Sequence, residues 1–179
     1  MNYLNTILKN DPGAQIKQFK KGSKLQHNGE ITTQGFFVKK GLLRSYIIDQ
    51  KGKEHIFHFA SENWIIADIE SQEFDHPANL FIDCIEDSEV LIFNRECVAK
   101  ADKTVEMLEN DIKLLSRRIG VLQRRVLMLM STSASERYSQ FLKSYPNLPN
   151  RVPQHMIASY LGITPQALST IRGKLANKS

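Results

Sequence analysis

Apolar and polar positions follow three different rhythms along this chain. From Ile16 to Phe93, short apolar stretches alternate with turn signals at Gly22-Ser23, Asn28-Gly29, Gly35, Gly41 and Lys51-Gly52-Lys53. The stretches are Phe36-Phe37-Val38, Leu42 to Ile48, Ile56-Phe57-His58-Phe59 and Leu91-Ile92-Phe93. Aromatic and β-branched segments at this spacing predict a small antiparallel barrel or jelly roll. From about Asp102 to Met130 the period lengthens to steps of three and four, which predicts one long helix. After Met130 the pattern breaks into shorter helical pieces separated by prolines.

The long helix carries a heptad repeat. Its a positions are Val105, Ile112, Ile119 and Val126, all β-branched, and its d positions are Leu108, Leu115, Leu122 and Leu129. β-Branched a with leucine d favours a parallel two-stranded coiled coil. These eight residues are therefore the expected homodimer seam. The c positions Met107, Leu114, Val121 and Met128 widen the apolar arc, so that a neighbouring face can pack on the chain's own barrel. Gly120 interrupts the helix at a cost of roughly 1 kcal/mol relative to alanine.

Ser133 and Glu136 then form an S-x-x-E capping box, and the next helix carries Tyr138, Phe141, Leu142 and Tyr145 on one face. The segment Ser131–Ser133 is the expected hinge. Beyond Pro153 comes QHMIASYLGITPQALSTIR, residues 154–172. Ala158 is small, Gly162 permits a tight turn four residues later, and Ile157, Leu161, Ile163, Leu168 and Ile171 supply a shared core. That combination predicts a helix-turn-helix. Thr164 is a good N-cap, and Pro165 suits the first helical position. The second helix would present Thr164, Pro165, Gln166, Ala167, Ser169 and Thr170 to a DNA major groove. Gln166 suits adenine, and Ala167 and Thr170 suit a thymine methyl. Arg151, Gln154, Arg172, Lys174 and Lys178 suit phosphates.

Charge sharpens this reading. Residues 1–100 hold 12 Lys/Arg and 14 Asp/Glu, net −2, whereas residues 101–179 hold 12 and 5, net +7. A basic rear half points to a polyanion. The longest strongly apolar run, Val126 to Met130, is far too short for a bilayer span, and MNYLNTILKN lacks the basic start and apolar stretch of a signal peptide. A cytoplasmic protein without membrane partners is expected. Cys84 and Cys97 are too few for a disulfide framework and read as two half-buried thiols.

Roll, long dimer helix and helix-turn-helix together resemble the Crp/Fnr family of bacterial transcription regulators. The resemblance covers nearly the whole chain. Phe36 to Arg44 and Asp49 to Glu54 are similar to the glycine-marked strands of the family's cyclic-nucleotide-binding roll. It implies an α+β fold: an antiparallel β-roll sensor over 1–100, a dimerisation helix over 101–130, and a winged helix-turn-helix domain over 131–179 whose wing is missing or vestigial. It also implies a dimer on palindromic double-stranded DNA, with RNA polymerase as a further partner and an effector in the roll moving the DNA-binding domains about the hinge.

Several positions depart from the family pattern. The nucleotide cassette has a Gly-Glu after a strand and an Arg-Ser about ten residues on, where this chain has Trp64 to Ile69 and then His76 to Leu80. No arginine lies between Arg44 and Arg95. A buried cyclic phosphate without a cation is costly, so cyclic AMP is not expected, and no cofactor is assigned. The family's hydroxyl-bearing base contacts on the dimer helix are replaced by Leu122 and Gln123. A candidate pocket for another effector involves Ala67, Asp68, Asn79 and Gln123; the alternative is a roll that serves only as a dimer scaffold. The four-cysteine iron–sulfur signature is absent. In the recognition helix, Pro165-Gln166 replaces an Arg-Glu pair and Thr170 a later arginine, which implies a different operator. A metal-binding cupin-type enzyme is a remote alternative. His55 and His58, three apart on a strand, point to opposite faces, and His27 and His76 lack a ligand pattern. Neither a metal site nor a catalytic residue is assigned.

Overall fold

The computed structural model describes residues 3–176, in two compact units that divide after Ala101. The first unit is the roll. Helix α1 (Tyr3–Asn10) precedes strands β1 (Gln15–Phe19), β2 (Lys24–Gln26), β3 (Gln34–Lys40), β4 (Leu43–Ile48), β5 (Glu54–Ala60) and β6 (Ile65–Ile66). Helix α2 (Ile69–Glu73), β7 (Phe81–Cys84), β8 (Ser88–Asn94) and helix α3 (Arg95–Lys100) complete it. Two four-stranded antiparallel sheets form, in the orders β1-β8-β3-β6 and β2-β7-β4-β5.

Alternation along the strands explains the layering, because successive side chains point to opposite faces. Phe36, Val38 and Val90 of one sheet meet Leu43, Ala60, Ile82 and Cys84 of the other in a buried core. Phe37, Leu91 and Phe93 point the other way and pack with Ile7 of α1, with Val98 of α3 against them. Gly41 is required at the turn into β4. Its φ is +102°, and an added Cβ would lie 2.7 Å from Ser88 Cα.

On the outer face of the second sheet, Arg44 pairs in register with Asp83 and Tyr46 with Phe81. Arg44 binds Asp83 bidentately, Nε to Oδ1 at 2.7 Å and Nη2 to Oδ2 at 2.9 Å, and also contacts Glu54. Burial opposes its charge, but these two carboxylates outweigh it and hold the guanidinium pKa above its ordinary value. The Tyr46 and Phe81 rings stack with centroids 5.3 Å apart. The cysteines differ from the expected pair of half-buried thiols: Cys84 is buried, which pushes its pKa up to about 11, and Cys97 is exposed.

The second unit is helical. It comprises α4 (Val105–Ser131), α5 (Ala134–Ser144), a single 3-10 turn (Leu148–Asn150), α6 (Gln154–Tyr160) and α7 (Pro165–Ala176). The long helix and the C-terminal helices lie in this one compact unit. Thr104 caps α4 through Met107 N. Ser133 and Glu136 form the reciprocal capping box at α5. Among the described residues no helix is long and apolar enough to cross a membrane.

Candidate nucleic-acid interface

Helices α6 and α7 are joined by a turn whose hydrogen bonds follow from one glycine. Gly162 has φ +65°; its N–H donates to Ser159 O at 3.0 Å, and Ile163 N donates to Ala158 O at 3.0 Å. This is a Schellman ending, which glycine makes without Cβ strain. Thr164 then caps α7: its Oγ1 accepts from Ala167 N at 3.1 Å and its carbonyl accepts from Leu168 N at 3.1 Å. Ile157, Ala158, Leu161 and Leu168 are buried and lock the two helices together.

The opposite side of α7 faces outward. Thr164, Pro165, Gln166, Ser169 and Thr170 are exposed and Ala167 is half-buried, so the expected base-reading residues share one surface. Gln154, Pro165, Ser169 and Arg172 line one cleft along that helix. Arg172 and Lys174 are exposed, Arg151 is half-buried just ahead of α6, and Lys178 lies outside the described residues.

Two arginines outside this surface fix its mounting. Arg137 on α5 donates from Nε to Thr132 O at 3.2 Å and from Nη1 to Leu161 O at 2.8 Å. It ties the end of α4 to the end of α6. Arg125 on α4 lies 3.8 Å over the Tyr160 ring and donates to Tyr160 O at 3.3 Å. Tyr160 sits among Phe141 and Tyr145, with centroids 5.6 and 6.2 Å away. Burial, then Tyr160 beside it, raises the Tyr145 phenol pKa well above its ordinary value. In the sequence these arginines count only toward overall charge. Their partners are backbone carbonyls 24 and 35 residues away, which no local pattern announces.

The a and d positions of α4 form an open stripe. Val105, Leu108, Ile112, Leu115, Ile119, Leu122, Val126 and Leu129 are all exposed, from 73% at Val105 to 38% at Leu129. Met107, Leu114 and Val121 at c are half-buried, and Met128 is buried. A helix seldom leaves so long an apolar row in water unless something covers it.

The candidate effector residues are differently placed. Asp68 is 1% exposed, and its carboxylate accepts from Ser71 N, Asn79 N and Leu80 N. It caps α2 and holds the loop that follows, so its oxygens serve the backbone. The Asn79 side chain donates to Glu70 at 2.9 Å. Ala67 is half-buried beside Asp68. Gln123 belongs to the second unit, where it lines a shallow cleft with Gly120, Arg124, Leu127, Thr132 and Gln140. Each histidine of the roll has its own neighbour: His27 Glu30, His55 Asp49, His58 Trp64 and His76 Glu70. Among the described residues, no cluster of three or more His, Cys, Asp or Glu could hold a metal ion.

Residues 16–104 match the cyclic nucleotide-binding domain family. Over 172 residues the chain is 26% identical to the electron transport regulator A of Shewanella oneidensis, covering 88% of this chain and 67% of that protein. Over 175 residues it is 27% identical to the fumarate and nitrate reduction regulatory protein of Vibrio cholerae, with the same coverage. The matched domain and these relatives make the chain similar to the Crp/Fnr regulators. Its fold is that of FixK2 from Bradyrhizobium japonicum, with a TM-score of 0.76 at 20% identity over 92% of this chain and 85% of that one. A CRP/FNR-family transcriptional regulator from Thermus thermophilus gives 0.72 at 16% identity, over 92% and 87%. These relatives and structural neighbours are transcription regulators and not enzymes, which speaks against the cupin-type alternative.

Proposed function

We propose that two copies of this chain assemble through the a/d face of α4 and present two α7 helices to a palindromic DNA operator. The observation that carries this reading is the open stripe on α4. Eight apolar side chains in strict a/d order are exposed, while the helix-turn-helix core is closed. A parallel partner covers a row of this kind with knobs-into-holes packing. Two-fold symmetry then sets the recognition helices about one DNA turn apart, roughly 34 Å.

The roll regulates or supports this dimer without cyclic AMP at the family's cassette. Both arginines of the first unit, Arg44 and Arg95, are engaged with carboxylates: Asp83 and Glu54 for one, Glu73 for the other. The buried Asp68 carboxylate adds negative charge in the cassette stretch, where a cyclic phosphate would need a cation.

The test is a gel shift on DNA taken from upstream of the protein's own coding region and its neighbours, with the native mass measured in parallel. A dimer mass and a shift that weakens steeply as salt rises are expected, because phosphate binding releases counterions. A monomer at micromolar concentration, or no shift on any fragment at low salt, overturns the reading.

A further inference from the structure

We propose that the half-site under α7 is an A·T site, read through an adenine-facing carboxamide and thymine-facing methyl groups, with no cation on guanine. This rests on the DNA-binding reading above and specifies what that surface recognises.

The surface is distinguished first by what it lacks. From Val152 to Ile171 the chain contains no lysine, arginine, aspartate or glutamate. Guanine is most often read by a bidentate arginine or lysine at O6 and N7, and cytosine by a carboxylate at N4. The exposed face of the first turns of α7 offers neither. The cations are at the edges, Arg151 ahead of α6 and Arg172 and Lys174 further along α7. There they suit phosphates, which fix position but carry no sequence information.

The hydrogen bonds then tie two hydroxyls to the backbone, using the donor of Thr170 and one acceptor lone pair of Thr164. Thr170 Oγ1 donates to the Gln166 carbonyl at 3.1 Å, which leaves its methyl and its acceptor lone pairs to offer a groove. Thr164 Oγ1 is engaged as the cap of α7. Gln166 and Ser169 remain. The Gln166 carboxamide is exposed, and it can give and accept one hydrogen bond each, the pattern adenine presents at N7 and N6. Ala167 stands beside it with a methyl of its own. Serine at 169 can bond to more than one base, so the distinctive contacts left are one to adenine and two to thymine methyls.

The experiment selects binding sequences from a randomised duplex with the full chain, then measures affinity on the recovered site with single modified bases. Recovery of an inverted repeat with adjacent A·T pairs in each half-site is expected. Replacing the contacted thymine with uracil should weaken binding about fourfold per site, the value of one buried methyl group. Replacing the contacted adenine with 7-deazaadenine removes the N7 acceptor and should weaken binding about tenfold, the cost of one hydrogen bond lost from the bidentate pair with the carboxamide N–H left unpaired. In Gln166→Ala that 7-deaza penalty should vanish, and in Thr170→Arg selection should recover a guanine that the parent ignores.

Three results would overturn the proposal: a repeat with invariant G·C pairs under α7, no penalty from either modified base, or a 7-deaza penalty that persists in Gln166→Ala. Recovery of no sequence at all would overturn the DNA-binding reading as well, so the two failures are separable.

Discussion

Ile157, Leu161 and Leu168 in the helix-turn-helix are 0–1% exposed, whereas Val105, Ile112 and Ile119 on α4 are 62–73% exposed. Both rows are aliphatic and both follow helical spacing. The first is closed by a second helix of the same chain, folded back by Gly162. The second runs along a helix of 27 residues, with no covering helix on its a/d side among the described residues. The difference separates two uses of one pattern. A closed row stabilises the fold, and an open row stores that stabilisation until another molecule covers it. The residue type says only that burial is favourable; the order of the residues says by what. Sorting β-branched side chains to a and leucines to d has no purpose in an ordinary core and a specific one in a parallel coil.

Leu115→Glu is the largest way to break this contrast. Residue 115 is at d, near the middle of the open row. In a dimer it would place two carboxylates face to face away from water, each costing several kcal/mol. A loss of about 4 kcal/mol, about a thousandfold in the dimerisation constant, is expected. Because the side chain is 54% exposed in the single chain, the fold of each protomer should survive. Analytical ultracentrifugation and far-UV circular dichroism on one sample decide it. A stable Leu115→Glu dimer would refute the heptad seam, and an unfolded monomer would show that the row is closed within the chain.

Leu168→Ala attacks the closed row instead. Leu168 is 1% exposed, so truncation leaves a cavity between α6 and α7 worth about 3 kcal/mol. Here the native mass should stay that of the parent while the thermal transition of the helical unit falls and DNA binding weakens. The two variants thus predict opposite pairings of mass and stability. A Leu168→Ala protein that dissociates but melts normally would reverse the assignment of which row is internal.

Much of this contrast is legible in the sequence because it rests on short-range rules. The heptad positions, the Ser133–Glu136 capping box, the Thr164 cap and the Gly162 turn each involve residues within a few positions of one another. Boundaries follow equally well: α5 ends at Ser144, ahead of Pro146, and α7 starts at Pro165. What lies outside such rules is long-range. The pairing of β1 with β8 joins residues far apart in the chain, such as Gln15 and Ile92, and alternation reveals faces but not partners. Arg125 and Arg137 read as surface charge because the Tyr160 and Leu161 carbonyls they hold carry no side-chain signature. Asp68 reads as a candidate ligand contact for a similar reason. Its partners Asn79 N and Leu80 N are brought to it only by the loop after α2.

Gly162→Ala is the smallest of these perturbations and touches both rows. An alanine Cβ there would lie 3.4 Å from Arg137 Nη1 and 3.4 Å from Leu129 Cδ2, ordinary contact distances. Space therefore costs little, and the penalty comes from holding an L-residue at φ +65°, about 1–2 kcal/mol. The expected fall in the melting temperature is smaller than for Leu168→Ala. Gly162→Asn should recover part of it, since asparagine visits the left-handed region more readily. Leu129 is also the last d residue of the open row. If the alanine shifts it, the dimerisation constant will move together with the melting temperature; if only the backbone is strained, the dimer will be unchanged. Alanine and asparagine variants that lose equal stability would mean that contact with Arg137 and Leu129, and not the dihedral angle, reserves this position for glycine.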